Sequence, residues 1–466
     1  MDTQVFKKQY KTLLLVILFF AFFTRVYRLH VPERYIFDEV YHSVTAKLIA
    51  HNDPRAFEWW NPAPEPDTAV DWLHPPLAKY TQAASMLIFG ENSFGWRISS
   101  ALFGVGVLYL ISLLSLQLTK NHAISLLATL LASLDGLLLV MSRIAMNDIH
   151  VTFAILLTVI LYLKTKPFEE KRKPLESLKW YLFTGISAGL AMGTKWSGVF
   201  VLGILYVYEL LSMLEVVGNI LHAKNKKTIQ THLKQLIQHG AIVLCCFVIL
   251  PLTVYLLSYA QMFLQGKDLN HLRELHKQIW WYQSNLTATH TYQSTPLEWI
   301  INKRPVWFHV SYGSGKRADI YAHGNSILLW SGLVTVVLTS LSILKRLLNS
   351  TDAKKPLETI TRIIRTPLTY LLMGYFATWI VWIRSPRIMF FYHYTPAIPF
   401  LVILLAYGLY KLTMLPEKYQ PLAQATALTT VSLAALYFIV FFPHWTALPM
   451  PAHFVNSVYF MFESWK

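Results

Sequence analysis

Eleven long apolar stretches, nearly free of charge and separated by polar loops, leave this chain few folds to choose from. A helix that crosses a bilayer needs about 20 apolar residues, and its backbone polar groups must be satisfied within the segment. The stretches lie near residues 12–29, 98–117, 122–140, 149–164, 179–193, 197–214, 239–259, 325–344, 367–383, 391–411 and 422–442. Only 14% of the 466 residues are charged, against about a quarter in a soluble domain. The pattern predicts an all-α polytopic membrane protein of about 11 transmembrane helices, built as a single membrane-embedded domain over residues 1–466. Lys7, Lys8 and Lys11 precede the first stretch, and no small-residue cleavage site follows it. That stretch therefore reads as a retained anchor.

The formal net charge of +16 does not imply a nucleic-acid partner. Lys and Arg of membrane proteins collect in cytoplasmic loops. With the N-terminus cytoplasmic, the inner segments are "KKQYK", "TKN", "KTKPFEEKRKPLESLK", "HAKNKK…HLK", "KRLLNSTDAKKPLETITRIIR" and "KLTMLPEK", all of them basic. The C-terminus is then external. Two long segments also fall outside, at about 30–97 and 260–324, both rich in Trp, Tyr, His and Pro. Short amphipathic stretches within them read as interfacial helices. Cys245 and Cys246 are adjacent within an apolar run and have neither disulfide nor metal-ligand spacing. There is no Walker motif, no GxGxxG and no inverted-repeat pattern.

The first external segment opens with "YIFDEVYH", residues 35–42. Phe37, Val40, Tyr41, Val44 and Leu48 recur at helical spacing and predict an apolar face, with Asp38, His42 and Thr45 along a polar edge. Neighbours on a helix point about 100° apart. Asp38 and Glu39 therefore cannot both face one reacting atom and must divide their roles, or else form an ordinary solvated first turn. Further ionisable residues fall on the same side. They are His74 and Lys79 in "WLHPPLAKY", Arg97 in "GWRISS", Arg143 and Asp148 in "SRIAMNDIH", Lys195 in "GTKWSG", and Arg384, Arg387 and His393 in "IRSPRIMFFYHY". Each cation alone reads as a snorkelling side chain at a helix end. Together they lie on the side that the positive-inside rule leaves poor in cations, and charge at membrane depth marks sites. The set suits an anion such as a phosphate, held by Arg and Lys beside a carboxylate base.

Seven pieces, in order from residue 37 to about 400, resemble the protein O-mannosyltransferases. They are "FDEVYH", "HPPLAKY", "FGWRISSALFG", "MSRIAMNDIH", "GLAMGTKWSG", "YQSTPLEWIINKRPVWF" and "RIMFFYHYTPAIPF". The resemblance implies the GT-C glycosyltransferase fold. Eukaryotic members carry a β-trefoil in the large external loop, and residues 260–324 are too few to hold one, so the chain resembles a bacterial-type member. The implied reaction is inverting transfer of mannose from a polyprenyl-phosphate-linked donor to Ser or Thr hydroxyls of exported proteins.

In that resemblance Asp38 is the general base and Glu39 positions acceptor or sugar. Arg97, Arg143, Lys195 and Arg387 are the candidates for the donor phosphate and sugar, joined by His74, His393 and Asp148. No cofactor or metal is required. Asp38, Glu39 and Asp148 are the group that would hold a divalent ion if one were used. The implied partners are the donor lipid, membrane lipids, and secreted or membrane acceptor proteins delivered by the export machinery. The implied location is a bacterial plasma membrane with the site on its extracytoplasmic face. Two other readings stay open: a GT-C enzyme moving another lipid-linked sugar to a lipid or cell-wall acceptor, and a lipid-linked sugar transporter or flippase.

Overall fold

A computed structural model describes residues 3–169, 173–349 and 356–466. The basic loop residues 170–172 and 350–355 lie outside the described residues. Long helices dominate. The first nine are α1 (Thr3–Val26), α2 (Glu39–Ala50), α3 (Leu77–Phe89), α4 (Ser93–Thr119), α5 (His122–Ser133), α6 (Gly136–Met141), α7 (Asp148–Leu163), α8 (Leu178–Thr194) and α9 (Phe200–Leu221). A long helix over Lys226–Leu257 follows, with a π-turn at Cys245–Ile249. Helices Ser326–Asn349, Pro367–Trp379, Ile398–Leu412 and Gln420–Thr446 complete the bundle.

Every apolar stretch expected to span corresponds to helix. Seven helical segments among the described residues are long and apolar enough to cross a membrane, and the chain is an integral membrane protein. The other four stretches are helices of 12 to 17 residues: α5, α7, α8 and Pro367–Trp379. The expected continuous span at 122–140 is broken. Asp135, fully buried, accepts a hydrogen bond from the Leu138 amide at 2.8 Å and starts α6 as a separate short helix. A buried N-terminal cap satisfies backbone donors that a helix start leaves bare. Close helix approach is bought by small residues. A Cβ on Gly104 of α4 would sit 2.1 Å from Ser142 Oγ, just beyond α6.

The expected helical membrane fold also carries a small β element. Residues 260–324 contain the helix Leu269–Asn285 and an antiparallel hairpin of β1 (Val306–Gly313) and β2 (Lys316–Ala322). A short β3 (Met450–Pro451) from the C-terminal segment pairs with the end of β2. The stretch "VWFHVSYGSGKRADIYA" alternates only loosely, and Phe308 and His309 are buried consecutively at a register irregularity. That bulge blurs the period-2 signal by which a strand is recognised.

At the end of the bundle that carries the two long inter-helix segments, α2 lies across the helix ends. Both its polar edge and most of its apolar stripe face the protein. Glu39, His42, Ser43 and Thr45 are buried together with Val44 and Leu48 of the apolar stripe, while Tyr41 is exposed. The expected apolar stripe thus leaves only Tyr41 exposed, and the polar edge is buried beside it. Buried polar groups need partners, and Arg97 meets Glu39 while the Asp71 amide donates to Thr45.

Candidate active site

A cavity of about 320 Å³ opens beneath α2. It is lined by Asp38, His74, Asp148, Lys195, Arg387 and His393, six of the nine residues singled out in the sequence. They come from five separate parts of the chain.

Asp38 stands at the N-terminal boundary of α2 and makes no side-chain cap. The residue before it, Phe37, has φ 46°. A bulky residue in the left-handed region is strained unless its surroundings hold it. Here Phe37 stacks on Phe308 at 4.4 Å and meets Phe390 and Tyr392 edge-on. The aromatic packing thus sets the turn that points the next residue into the cavity. Burial pushes Asp38 up to about 6, helped by Asp71 and Asp148 and opposed by His42 and Lys195. A carboxylate of this kind is a stronger base than an exposed one yet still ionised at neutral pH.

Also on the lining, Lys195 follows α8 directly and donates to Asp148 Oδ1 at 2.7 Å, both side chains being buried. Its ammonium also lies 5.7 Å from the centre of the Tyr392 ring. Arg387 Nη2 is 3.3 Å from His393 Nε2, and His393 Nδ1 is 3.0 Å from the Phe390 carbonyl. With both ring nitrogens engaged and the ring stacked on buried Trp299, His393 orients Arg387. The cavity lining therefore combines a carboxylate with two fixed cations.

Three expected residues are elsewhere. Glu39 is fully buried and does not line the cavity. It takes both teeth of Arg97, Nε to Oε1 and Nη2 to Oε2, each at 2.8 Å, and accepts from the amides of Ile36 and Ala145. The remaining guanidinium donors of Arg97 reach the carbonyls of Leu29, Pro32 and Arg34. Arg143 Nη1 donates to the carbonyls of Thr24, Arg25 and Tyr27, closing the end of α1. All three are structural ties that hold the Asp38 turn against the bundle. Arg384 is exposed and away from the cavity lining.

Asp71 was missed in the sequence, because "VDWLHPPLAK" offers no local sign that its first acid folds back. It is almost fully buried and gathers three partners. Lys79 Nζ is 2.8 Å away, His74 Nδ1 2.9 Å, and His42 Nδ1 2.8 Å in a bent contact. Pro75 and Pro76 fold the chain so that Lys79, in the first turn of α3, reaches back to Asp71 and to the His74 carbonyl. Burial pushes the Asp71 carboxyl up, but His74, Lys79 and His42 outweigh it and hold it well below the usual range. His42, Asp71 and His74 present ligand-type atoms within 4.8 Å of one another. The Lys79 ammonium already balances the one carboxylate, so this donor set suits an ion-pair network better than a divalent cation.

A further buried acid lies deep within the helices. Glu209 of α9 meets Tyr162, Tyr181 and His239. It lines no part of the cavity.

Two family models cover most of the chain. "Dolichyl-phosphate-mannose-protein mannosyltransferase" matches residues 71–265, and "C-terminal four TMM region of protein-O-mannosyltransferase" matches residues 268–465. The chain belongs to the protein O-mannosyltransferase family. These are membrane glycosyltransferases. Among similar relatives is the polyprenol-phosphate-mannose–protein mannosyltransferase of Corynebacterium glutamicum, 24% identical over 84% of this chain and 81% of its own length. The protein of the same name from Mycolicibacterium smegmatis is 25% identical over 89% and 84%. The Saccharomyces cerevisiae protein O-mannosyltransferase Pmt1-Pmt2 complex, solved with its sugar donor, superposes with a TM-score of 0.77 at 13% identity. That match covers 98% of this chain and 93% of the yeast chain. The Archaeoglobus fulgidus oligosaccharyltransferase AglB gives 0.55 at 14% identity, over 95% and 56%. The family fold is therefore the GT-C fold, and both long inter-helix segments of this member contribute to the cavity lining, the first through Asp38 and His74 and the second through Tyr282 and Leu286.

Proposed function

We propose that this protein O-mannosyltransferase family member transfers mannose from a polyprenyl-phosphate-linked donor to Ser or Thr hydroxyls of polypeptides, with inversion. The observation that carries the reading is the cavity itself, whose lining brings Asp38 together with Lys195 and Arg387. The names of the relatives supply the donor and the protein acceptor. Asp38 takes the proton of the acceptor hydroxyl as its oxygen attacks the anomeric carbon. The bond from that carbon to the phosphate oxygen breaks, and its electron pair leaves with the phosphate. Lys195 and Arg387 stabilise the charge that develops there. Asp148 and His393 keep these two cations in place.

The reaction is placed on the extracytoplasmic face of a bacterial plasma membrane, supported by the basic loops at the opposite ends of the helices and by the actinobacterial relatives. Acceptors then arrive unfolded from the export machinery. A transport function is disfavoured because the cavity charges cluster at one end of the bundle, while the buried Glu209 deeper inside is engaged by Tyr162, Tyr181 and His239.

The test is transfer by the purified protein in liposomes, using radiolabelled polyprenyl-phosphate mannose and a Ser/Thr-rich peptide. Label in the peptide supports the reading, and donor binding without peptide labelling would overturn the protein acceptor. Two results are expected in the same assay. Lys195→Met lowers kcat by about 10²–10³-fold, the scale of losing one preorganised charge-stabilising group. Transfer also falls on the acid side with a limb near pH 6, since protonation below the raised value of Asp38 removes the base. A limb near 4 would mean that Asp38 is not held in the buried state described.

A further inference from the structure

The network around Asp71 gives His74 a task different from holding phosphate. His74 lines the cavity and is the one member of the network with a fifth of its side chain open. Its Nδ1 is bonded to Asp71 Oδ1 at 2.9 Å. Asp71 is ionised and can only accept, so Nδ1 carries the hydrogen. Whether Nε2 also carries one depends on charge. Lys79, buried with its ammonium 2.8 Å from Asp71 Oδ2, already neutralises the carboxylate. A second imidazole, His42, crowds the same carboxylate with ring centres 5.4 Å apart. Lys195, also on the cavity lining, adds positive charge. Burial, with His42 and Lys195, lowers His74 to about 4 against the pull of Asp71. The ring is therefore neutral, and its Nε2 presents a lone pair. A lone pair repels a phosphate oxygen and accepts from a hydroxyl.

We propose that His74, fixed by Asp71 and Lys79, is a sugar-reading residue whose Nε2 accepts a hydrogen bond from one hydroxyl of the transferred hexose. The inference rests on the mannose-transfer reading above and deepens it. Lys195 and Arg387 hold the phosphate, and the imidazole selects the sugar attached to it. His74 thus divides the labour of the cavity between anion binding and hydroxyl recognition. Asp71 and Lys79 act only through it, by setting its tautomer and its position.

The experiment uses the full-length protein in liposomes with polyprenyl-phosphate mannose, a set of singly deoxygenated mannose donors, and unglycosylated polyprenyl phosphate. The native enzyme is expected to lose roughly 10- to 1000-fold in kcat/KM on one deoxy donor. His74→Ala should lose a similar factor on mannose and no more on that same deoxy donor, because the partner hydroxyl is already gone. His74→Gln, which keeps an acceptor oxygen, should recover part of the loss and serves where the alanine variant folds poorly. Binding of unglycosylated polyprenyl phosphate should change less than about twofold in either variant. The proposal is overturned if the deoxy penalties are unchanged in the variants, or if binding of polyprenyl phosphate itself weakens about tenfold. If the native chain moves no mannose at all, the substrate reading falls instead, while the polyprenyl-phosphate arm still reports on His74.

Discussion

Replacing Asp38 with Asn is expected to lower mannose transfer by about 10²–10⁴-fold while leaving donor binding within a few-fold of native. The amide keeps the size of the side chain and cannot take a proton. No neighbouring acid can stand in for it. Asp148 is committed to Lys195 at 2.7 Å, and Asp71 is surrounded by Lys79, His74 and His42. The turn that presents residue 38 depends on Phe37 and its aromatic neighbours, which the substitution leaves alone. Radiolabel counted in the acceptor peptide measures the effect. A variant retaining more than a tenth of native transfer would show that the acceptor hydroxyl loses its proton elsewhere.

The second large effect is on stability. Arg97→Met leaves the Glu39 carboxylate in a fully buried position with its two guanidinium donors removed. Breaking a buried pair by removing one partner costs about 3–5 kcal/mol. Loss of the Arg97 bonds to the Leu29, Pro32 and Arg34 carbonyls adds to this. Thermal unfolding of detergent-solubilised protein should show a Tm several degrees lower, with transfer falling alongside it because residue 38 adjoins the pair. The double variant Glu39→Gln/Arg97→Met should recover part of the lost stability, since no uncompensated charge then remains. Native-like melting of the single variant would mean that the pair contributes little.

Glu39 illustrates what a sequence conceals. Beside Asp38 it reads as the other half of a catalytic pair, since adjacency along the chain says nothing about which carboxylate faces the cavity. About 100° of rotation per helical residue sends Glu39 into the interior, where Arg97 meets it. Arg143 is a similar case. Its place beside "MND" suggested a phosphate ligand, but the open carbonyls at the end of α1 capture it first. Asp71 carried no signal of its own, because its partners are separated from it by up to 29 residues, as with His42, and meet only on folding. The hairpin at 306–322 was hidden by its bulge and by the mostly helical expectation set by the rest of the chain.

Length, hydropathy and the placement of Lys and Arg determined on their own that this chain is a helical membrane protein with two long segments on one side. Motif order alone indicated its family. Those properties follow from the cost of putting polar backbone and charge into lipid, which acts on every segment locally and leaves its mark in composition. Which of the nine chemical residues share a cavity was decided only by tertiary structure. A side chain's role depends on the direction it points and on the partner that reaches it first, and both are set by contacts between distant parts of the chain. Asp38 reached the cavity and Glu39 did not because the Phe37 turn and the Arg97 pair, made across 58 residues, fixed their different directions.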